Sequence, residues 1–414
     1  MKLIINNFRK IFKVSSERLI FMVLGLLLNL ILAKYFSPEL FTDFLIPIVF
    51  FSMFLGLTNL GIDKLILQIG EKFNNYQRNN LIVNTLILRL FFSVIVFFIT
   101  NIYIFFYRTD LLIFSVIITA SICFKAFDSI DLRYNLENIF GKFAKLRSSI
   151  FIIFFFFKFY VIVNYSNLII LSVVYFLESL LISLYLIYHS VKFFKIIDHY
   201  KIKFQEILNL FKQGISLIIS LFLEIFSQRI FLLLAIFVIP SEKYSSFYLA
   251  FLVCEVCFQI FYISSTVFIP DLNTIFSKIG EYNKKIKKLT LNYFVFSIIL
   301  FFIIKIVGFK LIIQIIGPNY EMSNHYFNII GISIIFNTVS LFRAQFLINI
   351  SKINIIVYMN IISLTIILSA YIFFSDYLNA ISLSYALLIY SFFVYFAQNF
   401  FFKPLRHFNK IIWK

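Results

Sequence analysis

The chain has 414 residues, of which 62% are hydrophobic and 14% charged, and its mean hydropathy is +0.96. Soluble domains carry roughly 45–50% apolar and about 25% charged residues, so these values exclude an ordinary soluble domain. The net charge of +18 would suit a nucleic-acid binder, but the basic residues are split among short, separated segments and form no single patch.

Apolar runs of about 20 residues, each able to cross ~30 Å of hydrocarbon, recur from end to end. Lipid admits only helices or closed barrels, and no run alternates polar and apolar as a barrel strand does. An all-α membrane protein is expected. MKLIINNFRKIFK followed by LIFMVLGLLLNLILA has the outline of a signal peptide, but it passes into AKYFSPE without a small-x-small cleavage site. It is read as a retained first span at 18–36. The SPE turn leads to a span at 41–62, KFNNYQRNN to 80–106 and YRTD to 111–129, followed by 148–164 and 168–188. PSEK divides 212–239 from 244–268, and 289–307 comes next. GPNYEMSNH opens 325–349, after which 355–375 and 379–402 complete twelve expected transmembrane helices. The stretch 308–320 is too short to span again and is expected at the interface or as a re-entrant piece.

With the N-terminus in the cytoplasm, the inside segments collect Arg9, Lys10 and Lys13, then Arg78, Arg133, Lys142, Lys145 and Arg147, the lysines of 192–212, KKIKK at 284–288, and the basic tail from Lys403. The outside loops hold only Arg108, Lys243 and Lys310, with Lys34 at a boundary. This is a strong positive-inside asymmetry with both termini cytoplasmic. The net charge is thus mainly a topology signal, and clusters such as KKIKK also suit anionic lipid headgroups.

Several chemistries find no residues. Cys123, Cys254 and Cys257 fall inside spans, and CEVC lacks the further ligands of a metal site. The histidines His189, His199, His325 and His407 are scattered over different loops, and neither a Walker A nor a GxGxxG motif appears. Every loop is short, so a large catalytic domain is not expected. No enzyme and no cofactor is expected, and a proton or sodium gradient is left as the source of energy.

Seven charged residues lie more than five positions from either end of a span: Arg89, Lys158, Glu178, Glu224, Arg229, Glu255 and Arg343. Arg, Lys or Asp at a helix centre costs roughly 2.5–3.5 kcal/mol on the insertion scale, and such residues pair, face a bundle interior or mark a substrate path. Arg229 lies only ~5 Å from the midpoint of its span, too deep to reach the surface readily. Glu224 is about 140° away around the same helix and is a poor partner for it. An interhelical pair of Arg229 with Glu178 or Glu255 is one reading, and snorkelling or structural pairing is the plain reading for Lys158. Taken together, Arg229, Arg89 and Arg343 read as a cationic lining for an anionic substrate.

LAKYFSPELFTDFLI at 32–46 can be laid against LAIFVIPSEKYSSFYLA at 234–250, each with Leu-Ala, a proline five residues after the alanine, and an aromatic entry to the next helix. Two six-helix lobes follow, 1–190 and 212–414, joined by a cytoplasmic linker at 191–211. An even number of spans per half gives a pseudo-two-fold axis along the membrane normal.

NLILAKYFSPELFTDFLIPIVF resembles the first hairpin of Wzx-type lipid-linked oligosaccharide flippases, in the polysaccharide transport family of the multidrug/oligosaccharidyl-lipid/polysaccharide exporter superfamily. TNLGIDKLILQIG at 58–70, SQRIFLLLAIF with Gln228 where the family often carries an acid, FIPDLNTIF at 268–276, IIQIIGPNYEMSNHYFNIIGISIIF at 312–336 and LINISK at 347–352 resemble further family segments in the same order. The resemblance implies translocation of a polyprenyl-diphosphate-linked glycan across a bacterial plasma (inner) membrane, feeding O-antigen, lipopolysaccharide or capsule. Arg229, Arg89, Arg343, Lys158 and Asn29 would then contact the substrate, and Glu224, Glu178 and Glu255 would couple ions or act as counter-charges. The implied partners are membrane lipids, a polysaccharide polymerase and chain-length machinery. The competing expectation is an ion-coupled multidrug exporter of the same superfamily; a membrane scaffold is a further one.

Overall fold

A computed structural model describes residues 2–71, 73–137, 140–194, 204–266, 268, 272, 275–276, 278–350, 352, 354–373 and 379–413. Its regular structure is helical throughout, with no strand among the described residues. Among the described residues, eight helices are long and apolar enough to cross a bilayer, nine if one bent pair, Pro318–Ile330 with Ser333–Leu347, counts as a single span. The spans expected at 18–36 and 355–375 coincide with shorter apolar helices, Leu19–Tyr35 and Asn354–Ser369. The middle of the expected linker, 195–203, and part of FIPDLNTIF lie outside the described residues.

The Asn75–Tyr107 helix shows why these sequences suit lipid. Thr85, Arg89, Ser93, Val96, Thr100 and Ile104 are buried at helical spacing, whereas Phe91, Phe98, Ile102 and Phe105 on other faces are exposed. This reverses the soluble pattern, because the surrounding solvent is apolar and small or polar residues carry helix–helix contacts there. Asn74 starts the helix with a capping box: Gln77 N–H donates to its side chain at 2.9 Å, and its own N–H donates to Gln77 Oε1 at 3.2 Å.

The two Leu-Ala…Pro segments both fold as helix–turn–helix. The Lys2–Tyr35 helix gives way to Pro38–Met53, with Pro38 at the first helical position, where its missing N–H costs nothing. In the second copy Phe204–Val238 leads to Ser241–Thr266, and Pro240 accepts N–H bonds from Lys243 and Tyr244, each at 2.9 Å. Chain contacts divide the protein into Met1–Glu39 with Leu234–Lys414, and Leu40–Leu233. One cut falls within the first repeated segment and the other at the start of the second. The division differs from the sequence-drawn lobes in assigning the first helix to the C-terminal unit and most of Phe204–Val238 to the other.

In the Leu40–Leu233 unit, the span expected at 41–62 is interrupted. Helix Pro38–Met53 stops, a short turn Leu55–Asn59 follows, and the chain then takes left-handed backbone at Leu60 (φ 61°) and Gly61 (φ 62°) before Asp63–Glu71. Leu60 is a strained choice for that conformation. Its side chain is fully buried with Ile62, Ile66, Leu81, Ile82 and Ile218, which offsets the strain. At Gly56 a Cβ would lie 2.4 Å from Phe222 Cα, so only glycine lets these two backbones meet.

In the other unit, the Ile279–Ile303 helix does not end near residue 307 as the hydropathy pattern suggests. It runs through a π turn, Ile304–Gly308, into Phe309–Ile316, one 38-residue stretch. The core of this unit gathers Leu272, Tyr282, Ile286, Phe342, Phe346, Phe408 and Ile412.

Candidate functional site

The seven intramembrane charges and Asn29 are placed very differently from one another. Lys158, on Phe140–Tyr165, and Glu178, on Leu168–Phe194, form a salt bridge in which both side chains are almost wholly buried. The ammonium also lies 3.7 Å from the Tyr175 ring centroid and 5.4 Å from that of Phe151. Opposite charge and a π face together replace the hydration the ammonium has lost. Glu178 is thus held by Lys158, the neighbour on the adjoining helix.

Arg89 is 4% exposed and donates to the Asp63 carboxylate. Asp63 is the first residue of its helix, where a carboxylate is favoured by the N-terminal dipole. Its side chain is half exposed, so the pair has one buried and one accessible end. The guanidinium Nε of Arg89 is buried without a hydrogen-bond acceptor.

Arg343, in the other unit, is 8% exposed. It donates to the Val394 carbonyl at 2.8 Å and to Asn399 Oδ1 at 3.2 Å. Val394 lies in a π turn, Phe392–Ala397, where the widened hydrogen-bond register leaves helix carbonyls in need of donors. Arg343 therefore satisfies a break in a helix as well as carrying charge. Asn29 donates to the Gly25 carbonyl one turn back in its own helix, at 2.9 Å. Arg229 and Glu255 are half-buried and Glu224 is exposed. Of the expected residues, the structure brings Lys158 and Glu178 together directly.

A second polar cluster was hidden in what the sequence offers as topology charges. Arg133, 2% exposed, pairs with Glu137, donates to Asn79 Oδ1 at 2.9 Å and to Asn75 Oδ1 at 3.3 Å, and stacks over Phe194 at 4.7 Å. Arg78 adds a bond to Glu137 at 3.1 Å and one to the Gly70 carbonyl at 2.8 Å. Asn79 closes the network on the Phe194 carbonyl at 2.8 Å. The hydrogen bond from Arg133, with the charges of both arginines, holds the Glu137 carboxyl below its usual range. Nearby, Arg147 bridges Asp131 and Asp128, and Tyr134 hydrogen-bonds His189 Nδ1 at 2.8 Å. At the opposite end of the Asn75–Tyr107 helix, Arg108 joins Asp43 at 3.0 Å and Asp110 at 2.8 Å. A salt-bridged clasp thus closes each end of this helix.

Among the described residues no group of three or more His, Cys, Asp or Glu side chains is placed to hold a metal ion. The arrangement places charge and hydrogen-bonding groups on apolar helices, groups able to bind a charged solute.

No protein-family model matches the sequence, and no curated protein matches it. Solved structures do. A MATE-family multidrug resistance transporter of the MOP superfamily, inward-facing, superposes with a TM-score of 0.72 at 13% identity, over 94% of this chain and 95% of that one. The lipid II flippase MurJ, inward closed, gives 0.70 at 16% identity, over 96% of this chain and 89% of that one. A MOP-superfamily transporter from Pyrococcus furiosus, described as having a binding pocket of reversed polarity, gives 0.66 at 12% identity over 99% and 97%. At these identities the likeness is one of fold. The chain has the all-α membrane fold shared by MATE transporters and a lipid II flippase.

Proposed function

We propose that the protein is a flippase that moves a polyprenyl-diphosphate-linked oligosaccharide across a bacterial plasma membrane by alternating access. The observation that carries this reading is the set of basic residues on apolar helices, Arg229 above all, in a fold shared with a lipid II flippase. Arginine stays charged in a poorly hydrated site and can grip a phosphate with two parallel hydrogen bonds. Arg229 is assigned to the diphosphate, and Arg343 and Asn29 are further candidates for substrate contact. Arg89 and Lys158 would join only by exchanging their present carboxylates, Asp63 and Glu178, for phosphate. In that exchange Glu178 becomes free to take a proton or sodium ion, and Glu224 and Glu255 are the further coupling candidates. The bent pair, the two shorter apolar helices and the interrupted Pro38–Met53 helix bring the eight long helices to twelve spans, both termini are cytoplasmic, and delivery is to O-antigen or capsule assembly through a polymerase and its chain-length partner.

The test is the sidedness of labelled lipid-linked glycan in membranes of a strain lacking the gene, with wild type or Arg229→Ala restored. Inner-leaflet accumulation relieved by wild type alone is the expected result. Normal sidedness without the gene, with redundant flippases removed, would sink the reading. A second reading, ion-coupled drug export, is favoured by the near-complete structural overlap with a multidrug transporter. It predicts resistance to cationic dyes and unaltered glycan sidedness.

A further inference from the structure

The transport reading leaves the last helix, Lys403–Trp413, without a role. Leu405, Phe408, Asn409 and Ile412 are buried at i, i+3, i+4 and i+7, a complete inward face. Phe408 and Ile412 enter the core with Tyr282, Ile286, Phe342 and Phe346. Arg406, Lys410 and Trp413 form a different stripe at i, i+4 and i+7, and all three are exposed. Lys403 is exposed at the helix start, and Phe400 and Phe401 just before it are exposed as well. Trp413 remains 45% exposed while resting on Phe294 and Phe396, with ring centroids 5.7 Å and 6.4 Å away. Arg406 Nε donates to the Phe400 carbonyl at 2.9 Å, tying cation and aromatic residues together. The Ile279–Ile303 helix packs against this one and exposes Lys284 and Lys288 in its first turns.

A purely aqueous face would not leave Trp413 and Phe401 uncovered, and a purely lipid-facing one would not carry Arg406 and Lys410. A topology signal requires charge on the correct side of the membrane but no placement beside aromatic rings. The combination fits the boundary between acyl chains and headgroups, where indole and phenyl rings sit at the hydrocarbon edge and cations reach phosphate. We propose that Lys403–Trp413 is an interfacial anchor that recruits anionic phospholipid from the surrounding bilayer, with Arg406 and Lys410 on the headgroup phosphate and Trp413 at the acyl boundary. Charge complementarity selects the anionic lipid, and the inward Leu405, Phe408 and Ile412 transmit its grip to the helix bundle.

Trp413 is the only tryptophan in the chain, so its fluorescence reports this helix alone. The full-length protein is reconstituted in phosphatidylcholine vesicles containing an equal mole fraction of brominated phosphatidylglycerol or brominated phosphatidylcholine. Brominated phosphatidylglycerol should quench Trp413 more strongly, and the difference should shrink as salt is raised. Each cation near an anionic surface is worth about fivefold in local enrichment, so Lys403→Gln/Lys410→Gln should lower the preference by about 25-fold. These lysines lie on the exposed face, leaving the packed face and Arg406 intact. Equal quenching by the two brominated lipids in the wild type overturns the proposal without recourse to any variant. So does a preference that survives both the double substitution and high salt.

Discussion

Removing Glu178 is the sharpest test of the buried pair. Lys158 is 2% exposed and Glu178 8%, and Tyr175 is the nearest aromatic face at 3.7 Å from the ammonium. Glu178→Ala leaves a buried ammonium without its carboxylate, a loss of about 3–5 kcal/mol. The cation–π contact, worth roughly 2 kcal/mol when desolvated, persists but does not replace the missing charge. Lys158→Met with Glu178→Leu removes both charges and fills the space, and should return to within about 1 kcal/mol of wild type. Equilibrium unfolding in mixed detergent micelles, followed by circular dichroism across the full double-mutant cycle, should give a coupling energy on the order of 2 kcal/mol or more. A cost below about 1 kcal/mol for Glu178→Ala would refute the reading of a mutually dependent buried pair. On the proposed flippase reading, glycan sidedness measured on the stable double variant adds a separate answer: retained flipping makes the pair structural, and lost flipping assigns it to substrate contact or coupling.

Gly56→Val forces a side chain into the Phe222 backbone at 2.4 Å; overpacking of this kind costs about 1–3 kcal/mol, and the variant should show a lowered melting temperature in detergent. Arg343→Ala strips the donor from the Val394 carbonyl and should destabilise the chain by about 1–3 kcal/mol, with Arg343→Lys recovering only part, in the same unfolding assay. Glu137 has a folded carboxyl held below its ordinary value of 4.5 by Arg133, so its contribution is present above that value and fades as pH falls through the lower folded one. Glu137→Gln should therefore cost stability at neutral pH and flatten the acid limb of a stability–pH curve below about pH 4.5; an unchanged acid limb would argue against the clasp.

The positions of the helices were legible in the residues because lipid imposes a simple rule on each segment: about 20 apolar residues and no backbone left unpaired. The proline turns at Pro38 and Pro240 were legible for the same local reason. The break at Leu60 was not, since a leucine in left-handed backbone is tolerated only by its tertiary surroundings and carries no turn signature of its own. The extension from Ile303 to Ile316 was missed because hydropathy windows see length and apolarity but not a π turn that carries the helix onward. At the candidate site, sequence picked out the charged residues but not their partners. Asp63 lies 26 positions from Arg89 across an intervening turn, and nothing in local spacing couples them. Glu178 was open to Arg229 by position alone, and packing gave it to Lys158. Arg133 and Arg147 looked like members of a topology tally, whereas each is folded into a specific ion pair.

The π turn at Phe392–Ala397 has a consequence for how this chain can change over generations. A π turn holds one residue more than the α-helix it interrupts, which rotates everything after it by about 100°. Excising a single residue there would let the helix close into ordinary α geometry, swing Phe400 and Phe401 onto a different face, and withdraw the carbonyl that Arg343 now occupies. Substitutions in this stretch are therefore cheap by comparison with a one-codon deletion. Any alignment of this helix with a relative lacking the turn must open a one-residue gap at this point, or it will pair inward positions with lipid-facing ones.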